Sequence, residues 1–186
     1  MRVMGIDLAA KEKKKTGICL INSNNDKEEE GIYSVITSSV FGDEQILEKI
    51  DQASPDLIAI DAPLSWGEKF RPAEREMIKD GYRLLPLNMN SMKELTKRAI
   101  RLKERINYPS VECHPTSSAK ALKIEKKPIE AFVKACERKF RLKFKNIPKN
   151  QHEVDAVLAA LTAKFYLLDK CRIYGKEGEE IILPST

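Results

Sequence analysis

Three aspartates occupy positions where a folded chain would bury them, and they constrain the fold more than any other feature. Asp7 ends the apolar start of the chain, Asp61 ends the apolar run 57–60, and Asp155 lies in the second turn of a predicted helix. A buried carboxylate is costly unless it is paired or binds a metal ion. Each aspartate alone could equally cap the loop that follows it. Together they predict one acidic cluster with the oxygen ligands that a divalent metal prefers.

The composition fits one domain with a positively charged surface. The chain has 186 residues, 42% hydrophobic and 33% charged, with a net charge of +5. That length supplies one sizeable core, so we expect a single domain over residues 1–186. No apolar run approaches the roughly 20 residues that span a bilayer, no signal-peptide pattern is visible, and the four cysteines form no close pair. We expect a cytoplasmic protein without membrane contacts, whose charge suits a polyanion or simply an ordinary lysine-rich surface.

The hydrophobic pattern predicts an α/β order of elements. Strands at 2–9, 16–21 and 32–37, with a polar turn at 22–31, are typical of an antiparallel meander. A helix capped by Asp43 then leads to the strand 57–60, whose unbroken apolar run is typical of a buried parallel strand.

The second half of the chain is predicted to hold one more strand and three helices. Residues 62–90, rich in proline and glycine, are interpreted as an irregular, lid-like insertion. A fifth strand is predicted at 111–114, and helices are predicted from Asn90 or Ser91 to about 105, over 127–140, and from about 151 onward. Asn150 and Glu153 resemble the capping box of the last helix.

This order resembles the ribonuclease H-like fold, which includes resolvases of the RuvC type. The segments 5–9 with 16–17, 57–63 and 152–157 are similar to the acidic motifs of that superfamily. More closely, the chain resembles a family of predicted nucleases with this fold, through the segments 58–63, 71–75, 85–92, 111–116 and 152–161. The resemblance implies a mixed five-stranded sheet, an antiparallel three-strand meander plus parallel strands, flanked by helices.

The resemblance also implies a two-metal mechanism of phosphodiester hydrolysis with Mg²⁺ or Mn²⁺. Asp7 would bridge both ions, while Asp61 and Asp155 would each hold one. The resolvases usually carry a glutamate where this chain has Asp61, which is one methylene shorter. The spacing of the metal ions could therefore differ from that of the resolvases.

Two further residues are candidates for the same site. Glu112, on the predicted fifth strand, could be a fourth metal ligand or could pair with Arg71 or Arg75. His152 lies three residues before Asp155, on the same helix face. It could assist proton transfer at the catalytic site, or it could be an ordinary polar residue of the first helical turn.

Candidate substrate-binding residues lie in two segments. In the insertion, Arg71 and Arg75 could grip phosphate or form ion pairs with nearby glutamates, and Trp66 could stack on a base or anchor the loop. In the basic stretch 134–149, Lys139 and Lys143 could follow a phosphate backbone or belong to a solvated helix face.

The predicted function is a metal-dependent nuclease, with nucleic acid as the expected partner and a homodimer as a further expectation. Actin-like kinases share the same core but need two such domains, which 186 residues cannot supply. Two alternatives stay open. One is a non-catalytic scaffold that binds a nucleic acid or a protein, and the other is a hydrolase of small phosphoesters.

Overall fold

One mixed sheet organises the chain in the computed structural model, which describes residues 1–23 and 31–185. The strands in this described part are β1 (Arg2–Asp7), β2 (Thr16–Ser23), β3 (Tyr33–Val40), β4 (Leu57–Asp61), β5 (Ser110–Cys113), β6 (Leu142–Phe144), β7 (Cys171–Tyr174) and β8 (Ile181–Pro184). Their order across the sheet is β6-β3-β2-β1-β4-β5-β8-β7. The strands β1 and β4 therefore lie side by side at its centre.

Helices cover both faces of this sheet. They are α1 (Gly42–Ala53), α2 (Pro72–Lys79), α3 (Asn90–Arg105), α4 (Pro115–Ala121), α5 (Ile129–Phe140) and α6 (Gln151–Leu167). One core lies between the sheet and α4, α5 and α6, and a second lies between the opposite face and α1 and α3. Across the described residues, no helix combines the length and the apolar character needed to cross a membrane.

The predicted meander and the central parallel strand are confirmed. β1 pairs with β2, and β2 with β3, in antiparallel register. β4 runs parallel to both β1 and β5, and α1 supplies the crossover between β3 and β4. Because β4 has a neighbour on each side and helices on both faces, Ile58, Ala59 and Ile60 are fully buried, as their unbroken apolar run predicted.

The prediction of five strands is wrong, since the described sheet has eight. The three additional strands have only three or four residues each, too few for a periodic pattern to be recognised. β6 also lies inside the basic stretch, which looked like a continuous helix face. The helix α5 ends at Phe140, where Arg141 takes a left-handed conformation, and the chain then runs beside β3.

Several local predictions also need correction. Phe41 and Met89, not Asp43 and Asn90 or Ser91, occupy the N-cap positions of α1 and α3. The insertion 62–90 is not wholly irregular, because it contains α2, and its role as a lid stays a prediction. The predicted turn at 22–31 lies mostly outside the described residues.

Two glycines let α6 approach the sheet closely. A Cβ atom on Gly5 of β1 would overlap the backbone of Ala156 and Ala160, and one on Gly17 of β2 would overlap the backbone of His152. Interiors are packed too tightly to absorb such an overlap. The first turns of α6, which carry His152 and Asp155, are therefore held against the strand end where Asp7 lies.

Replacing Gly5 with alanine should push α6 away from the sheet. We expect the Gly5→Ala variant to lose about 3 kcal/mol of unfolding free energy, because the new methyl group meets backbone atoms and not a flexible side chain. Urea unfolding followed by circular dichroism measures this loss.

The matched control is Gly178→Ala. Its Cβ would meet nothing within 4 Å, although its φ of +84° favours glycine. That conformation alone should cost about 1 kcal/mol. Equal losses in the two variants would contradict close packing of α6 at Gly5.

Candidate active site

Asp7 and Asp61 end two neighbouring parallel strands. They pair in register at the carboxyl ends of β1 and β4, and their carboxyl groups are hydrogen-bonded to each other. Because side chains at the same position of adjacent parallel strands project to the same side, the two carboxyls must meet. The sequence prediction that these two acids come together is therefore met by the geometry.

The third acid, Asp155, comes from α6. It lies one helical turn after Gln151, and its charge acts on both Asp7 and Asp61. Its Oδ1 accepts a hydrogen bond from Lys126 Nζ at 2.8 Å, and its Oδ2 accepts one from Gln151 Nε2 at 3.4 Å. All three acids thus share one end of the sheet, and a lysine that the sequence analysis missed joins them.

His152 contacts the same cluster. Its Nδ1 lies 2.6 Å from Asp7 Oδ2, and its side chain is 52% exposed. An ionised carboxylate can only accept a hydrogen bond, so Nδ1 is the donor in this contact. The ring is therefore oriented by Asp7 while about half of the side chain stays exposed.

The pKa values of the Asp7 and Asp61 carboxyl groups are both raised. Burial raises the pKa of Asp61 well above its ordinary value, and the charges of Asp7 and Asp155 add to that rise. Burial also raises the pKa of Asp7, opposed by the hydrogen bond from His152. Of the two acids, Asp61 is therefore the one that keeps a proton to higher pH, in its hydrogen bond with Asp7, as close carboxyl pairs do. A cation at this position would replace that proton.

The donor chemistry fits Mg²⁺ or Mn²⁺, which prefer carboxylate oxygens. However, no three His, Cys, Asp or Glu side chains of residues 1–23 and 31–185 are grouped closely enough to hold one ion as they stand. The hydrogen bonds explain this: Asp7 is turned to His152, and both oxygens of Asp155 are engaged by Lys126 and Gln151. Binding an ion would require these side chains to exchange partners.

Glu112 is held by Arg71. Arg71 donates to Glu112 Oε2 at 2.9 Å and to Glu74 Oε1 at 2.9 Å, and the Leu64 N–H donates to Glu112 at 2.8 Å. Burial raises the pKa of Glu112 to about 7, opposed by the Arg71 guanidinium. Of the two alternatives for Glu112, the structure supports the ion pair with Arg71 and gives no support to a fourth metal ligand.

Arg71 cannot grip phosphate in this arrangement. Its side chain is 2% exposed, and its guanidinium is shared between two carboxylates and Ser65. Of the two alternatives for Arg71, phosphate binding and an ion pair with a nearby glutamate, the structure supports the ion pair. Arg75, one turn later on α2, is exposed on the surface.

A cavity of about 220 Å³ opens beside the acids. It is lined by Asp7, Asp61, Glu74, Glu112, His114 and a set of apolar side chains that includes Leu84, Leu87 and Met92. Leu87 also lines a second hollow with Trp66, Lys93 and Lys97. Trp66, which is 56% exposed, therefore lies next to the acidic cavity.

His114 has a structural role at the cavity wall. Its Nδ1 accepts from the Ser117 N–H at 3.3 Å and so caps α4. Burial, reinforced by the positive charge of Lys126, lowers the pKa of His114 to about 4. The ring is neutral at pH 7 and brings no positive charge to the cavity.

Lys139 and Lys143 are not brought to the acids. Lys139 donates to the carbonyls of Leu122 and Lys123 at 3.2 and 2.9 Å. Lys143 is exposed on β6, three strands away from β1, or about 14 Å at the usual strand spacing. It also pairs with Ser34, at the opposite end of the sheet from Asp7.

Glu153 was interpreted as the acid of a capping box, and this is only half right. Asn150 caps α6 by accepting from the Glu153 N–H at 3.0 Å. The buried Glu153 carboxylate instead accepts from the hydroxyls of Thr37 and Ser39, at 2.9 and 2.8 Å. It therefore fastens the start of α6 to β3, and so helps to position Asp155.

Two solved structures of a resolvase share the fold of this chain. RuvC from Thermus thermophilus, solved in complex with a Holliday junction substrate, superposes with a TM-score of 0.56 at 14% identity, covering 90% of this chain and 96% of that one. A second structure of Thermus thermophilus RuvC gives a TM-score of 0.56 at 16% identity, covering 91% and 97%. The chain therefore has a ribonuclease H-like fold of the RuvC type.

The family follows from the sequence itself. The family model described as protein of unknown function (DUF429) matches residues 5–179, which is nearly the whole chain. The chain belongs to this family. No curated protein sequence gives a significant match.

Replacing Arg71 with methionine should leave Glu74 and Glu112 buried without a cation. We expect the unfolding free energy at pH 7 to fall by about 3–5 kcal/mol. Adding Glu112→Gln to Arg71→Met should restore part of it, since one unpaired charge is then removed. Urea unfolding of the single and double variants measures both effects.

Arg75→Met is the matched control on the same helix. Because the Arg75 side chain is exposed, we expect its replacement to lower the unfolding free energy by only about 0.5 kcal/mol. If Arg71→Met were as stable as Arg75→Met, the buried ion pair would not hold this wall of the cavity.

Proposed function

We propose that the chain is a nuclease that hydrolyses phosphodiester bonds with a divalent metal ion, Mg²⁺ or Mn²⁺. The observation that carries the proposal is the meeting of Asp7, Asp61 and Asp155 at one end of a RuvC-like sheet. These carboxylates would hold the metal. A bound ion would supply Lewis-acid polarisation of the phosphoryl group and stabilise the charge that develops in the transition state.

The carboxylates also explain why a metal is needed. A phosphodiester is anionic, and an uncompensated acidic cluster would repel it. A proton shared by Asp7 and Asp61, whose pKa values are both raised, would relieve the repulsion between them. Exchanging that proton for a divalent cation would turn a site that repels phosphate into one that attracts it.

We assign proton transfer to His152. Asp7 holds its Nδ1 at 2.6 Å, and the side chain is 52% exposed at the edge of the acidic cluster. An imidazole whose Nδ1 carries the proton has an unprotonated Nε2, which can take a proton from an attacking water.

We assign substrate contacts to exposed residues around the cavity. Trp66 would stack on a base, because its ring is exposed and its hollow adjoins the acidic cavity through Leu87. Arg75 would contact the phosphate backbone. Lys139 and Lys143 would serve only a nucleic acid long enough to reach the far edge of the sheet.

The partner we propose is nucleic acid. The RuvC structure that shares this fold was solved with a Holliday junction, and the chain has a net charge of +5. A symmetric dimer, which a resolvase needs in order to cut two strands, stays a prediction.

The test is cleavage of a labelled panel in Mg²⁺ or Mn²⁺. The panel holds single strands, duplexes, an RNA–DNA hybrid, a four-way junction and mononucleotides. We expect the wild type to cut at least one polymer and Asp7→Asn to reduce cutting to the level measured without metal. Asp7→Asn preserves the shape of the side chain while it removes a ligand charge.

Asp51→Asn, the same chemical change at an exposed position of α1, is the control and should cut like the wild type. Turnover of mononucleotides alone would favour a hydrolase of small phosphoesters. Metal-independent binding without any cutting would favour the non-catalytic scaffold, and either result would contradict the nuclease.

A further inference from the structure

Lys126 places a positive charge inside the acidic cluster. It lies in the segment between α4 and α5, and its ammonium is 2.8 Å from Asp155 Oδ1. Thr116 Oγ1 accepts a second hydrogen bond from the same ammonium at 2.9 Å. These two contacts fix the position of the cation on the side of the cluster where Asp155 lies.

The contact between Lys126 and Asp155 is partly shielded from water. The lysine and aspartate side chains are only 25% and 16% exposed, so water screens their attraction less than at the surface. Lys126 therefore behaves toward Asp155 as a bound cation would.

The charges of the cluster favour one divalent ion over two. Once a metal ion has displaced the proton shared by Asp7 and Asp61, three ionised aspartates and one ammonium leave two negative charges, which a single divalent ion balances. A second divalent ion would leave the partly buried cluster with an excess of two positive charges, at a large cost in a region of low dielectric constant. Asp155 would also have to give up the ammonium before it could hold a second ion.

We propose that Lys126 takes the place of a second metal ion, so that the site binds one divalent ion, between Asp7 and Asp61. This revises the two-ion arrangement that the sequence resemblance implied. The inference rests on the proposed function in one respect, since it requires that the acids bind a metal at all. It does not depend on which nucleic acid is cut.

The test is the stoichiometry of Mn²⁺ binding, measured by isothermal titration calorimetry on the full chain without substrate. We expect one site in the wild type. Lys126→Met removes the charge while it keeps most of the side-chain length, and should show a second binding event at Asp155. Lys126→Arg keeps the positive charge and should again bind one ion.

Lys127→Met is the matched control. It makes the same change of net charge at the adjacent, exposed lysine, so its stoichiometry should be that of the wild type. Circular dichroism and the urea midpoint establish that each variant is folded. If Lys126→Met does not fold, binding of two ions by the wild type would still overturn the proposal.

The outcomes separate this inference from the proposed function. Two ions in the wild type, or one ion with unchanged affinity in Lys126→Met, would overturn the role of Lys126 and leave the metal-dependent nuclease standing. No Mn²⁺ binding in any variant would overturn both. One ion in the wild type, in Lys126→Arg and in Lys127→Met, together with two ions in Lys126→Met, would establish Lys126 as the second cation.

Discussion

The close contact between α6 and the centre of the sheet is the constraint on which the site depends. Gly5 and Gly17 lack the side chains that would hold the helix away, and Glu153 fastens its first turn to β3. As a result, Asp155 and His152 reach the end of β1. Without this approach, Asp7 and Asp61 would be an isolated pair of acids, and the fold would carry no three-carboxylate cluster.

The electrostatics of the cluster connect structure with the proposed chemistry. Buried like charges cannot all be ionised unless something compensates them. Here the compensation comes from a shared proton between Asp7 and Asp61 and from the ammonium of Lys126 beside Asp155. A divalent cation can replace the shared proton and can bind beside the ammonium of Lys126. By contrast, Arg71 forms a buried ion pair with Glu74 and with Glu112, and so builds a wall of the cavity.

Much of this arrangement could be predicted from the sequence, for a physical reason. Asp7 and Asp61 end apolar runs, and parallel strand ends meet at one edge of a sheet; Asp155 follows from the helical period of α6. Other parts could not be predicted. Pairing with Arg71 is one of several roles that the sequence leaves open for Glu112, and the separation of 41 residues gives no means of choosing among them. Lys126 is brought to Asp155 by a segment with no periodic pattern. The strands β6, β7 and β8 are too short to be recognised without their neighbours.

The most direct test of the account is an anomalous diffraction map from crystals of the protein soaked in Mn²⁺. The account predicts a single anomalous peak within coordinating distance of the carboxylates of Asp7 and Asp61, with the hydrogen bond between those carboxyls broken. A map with no peak at these residues, while Asp7 and Asp61 remain hydrogen-bonded to each other, would contradict it. In that case the acids would serve the fold and not a metal ion.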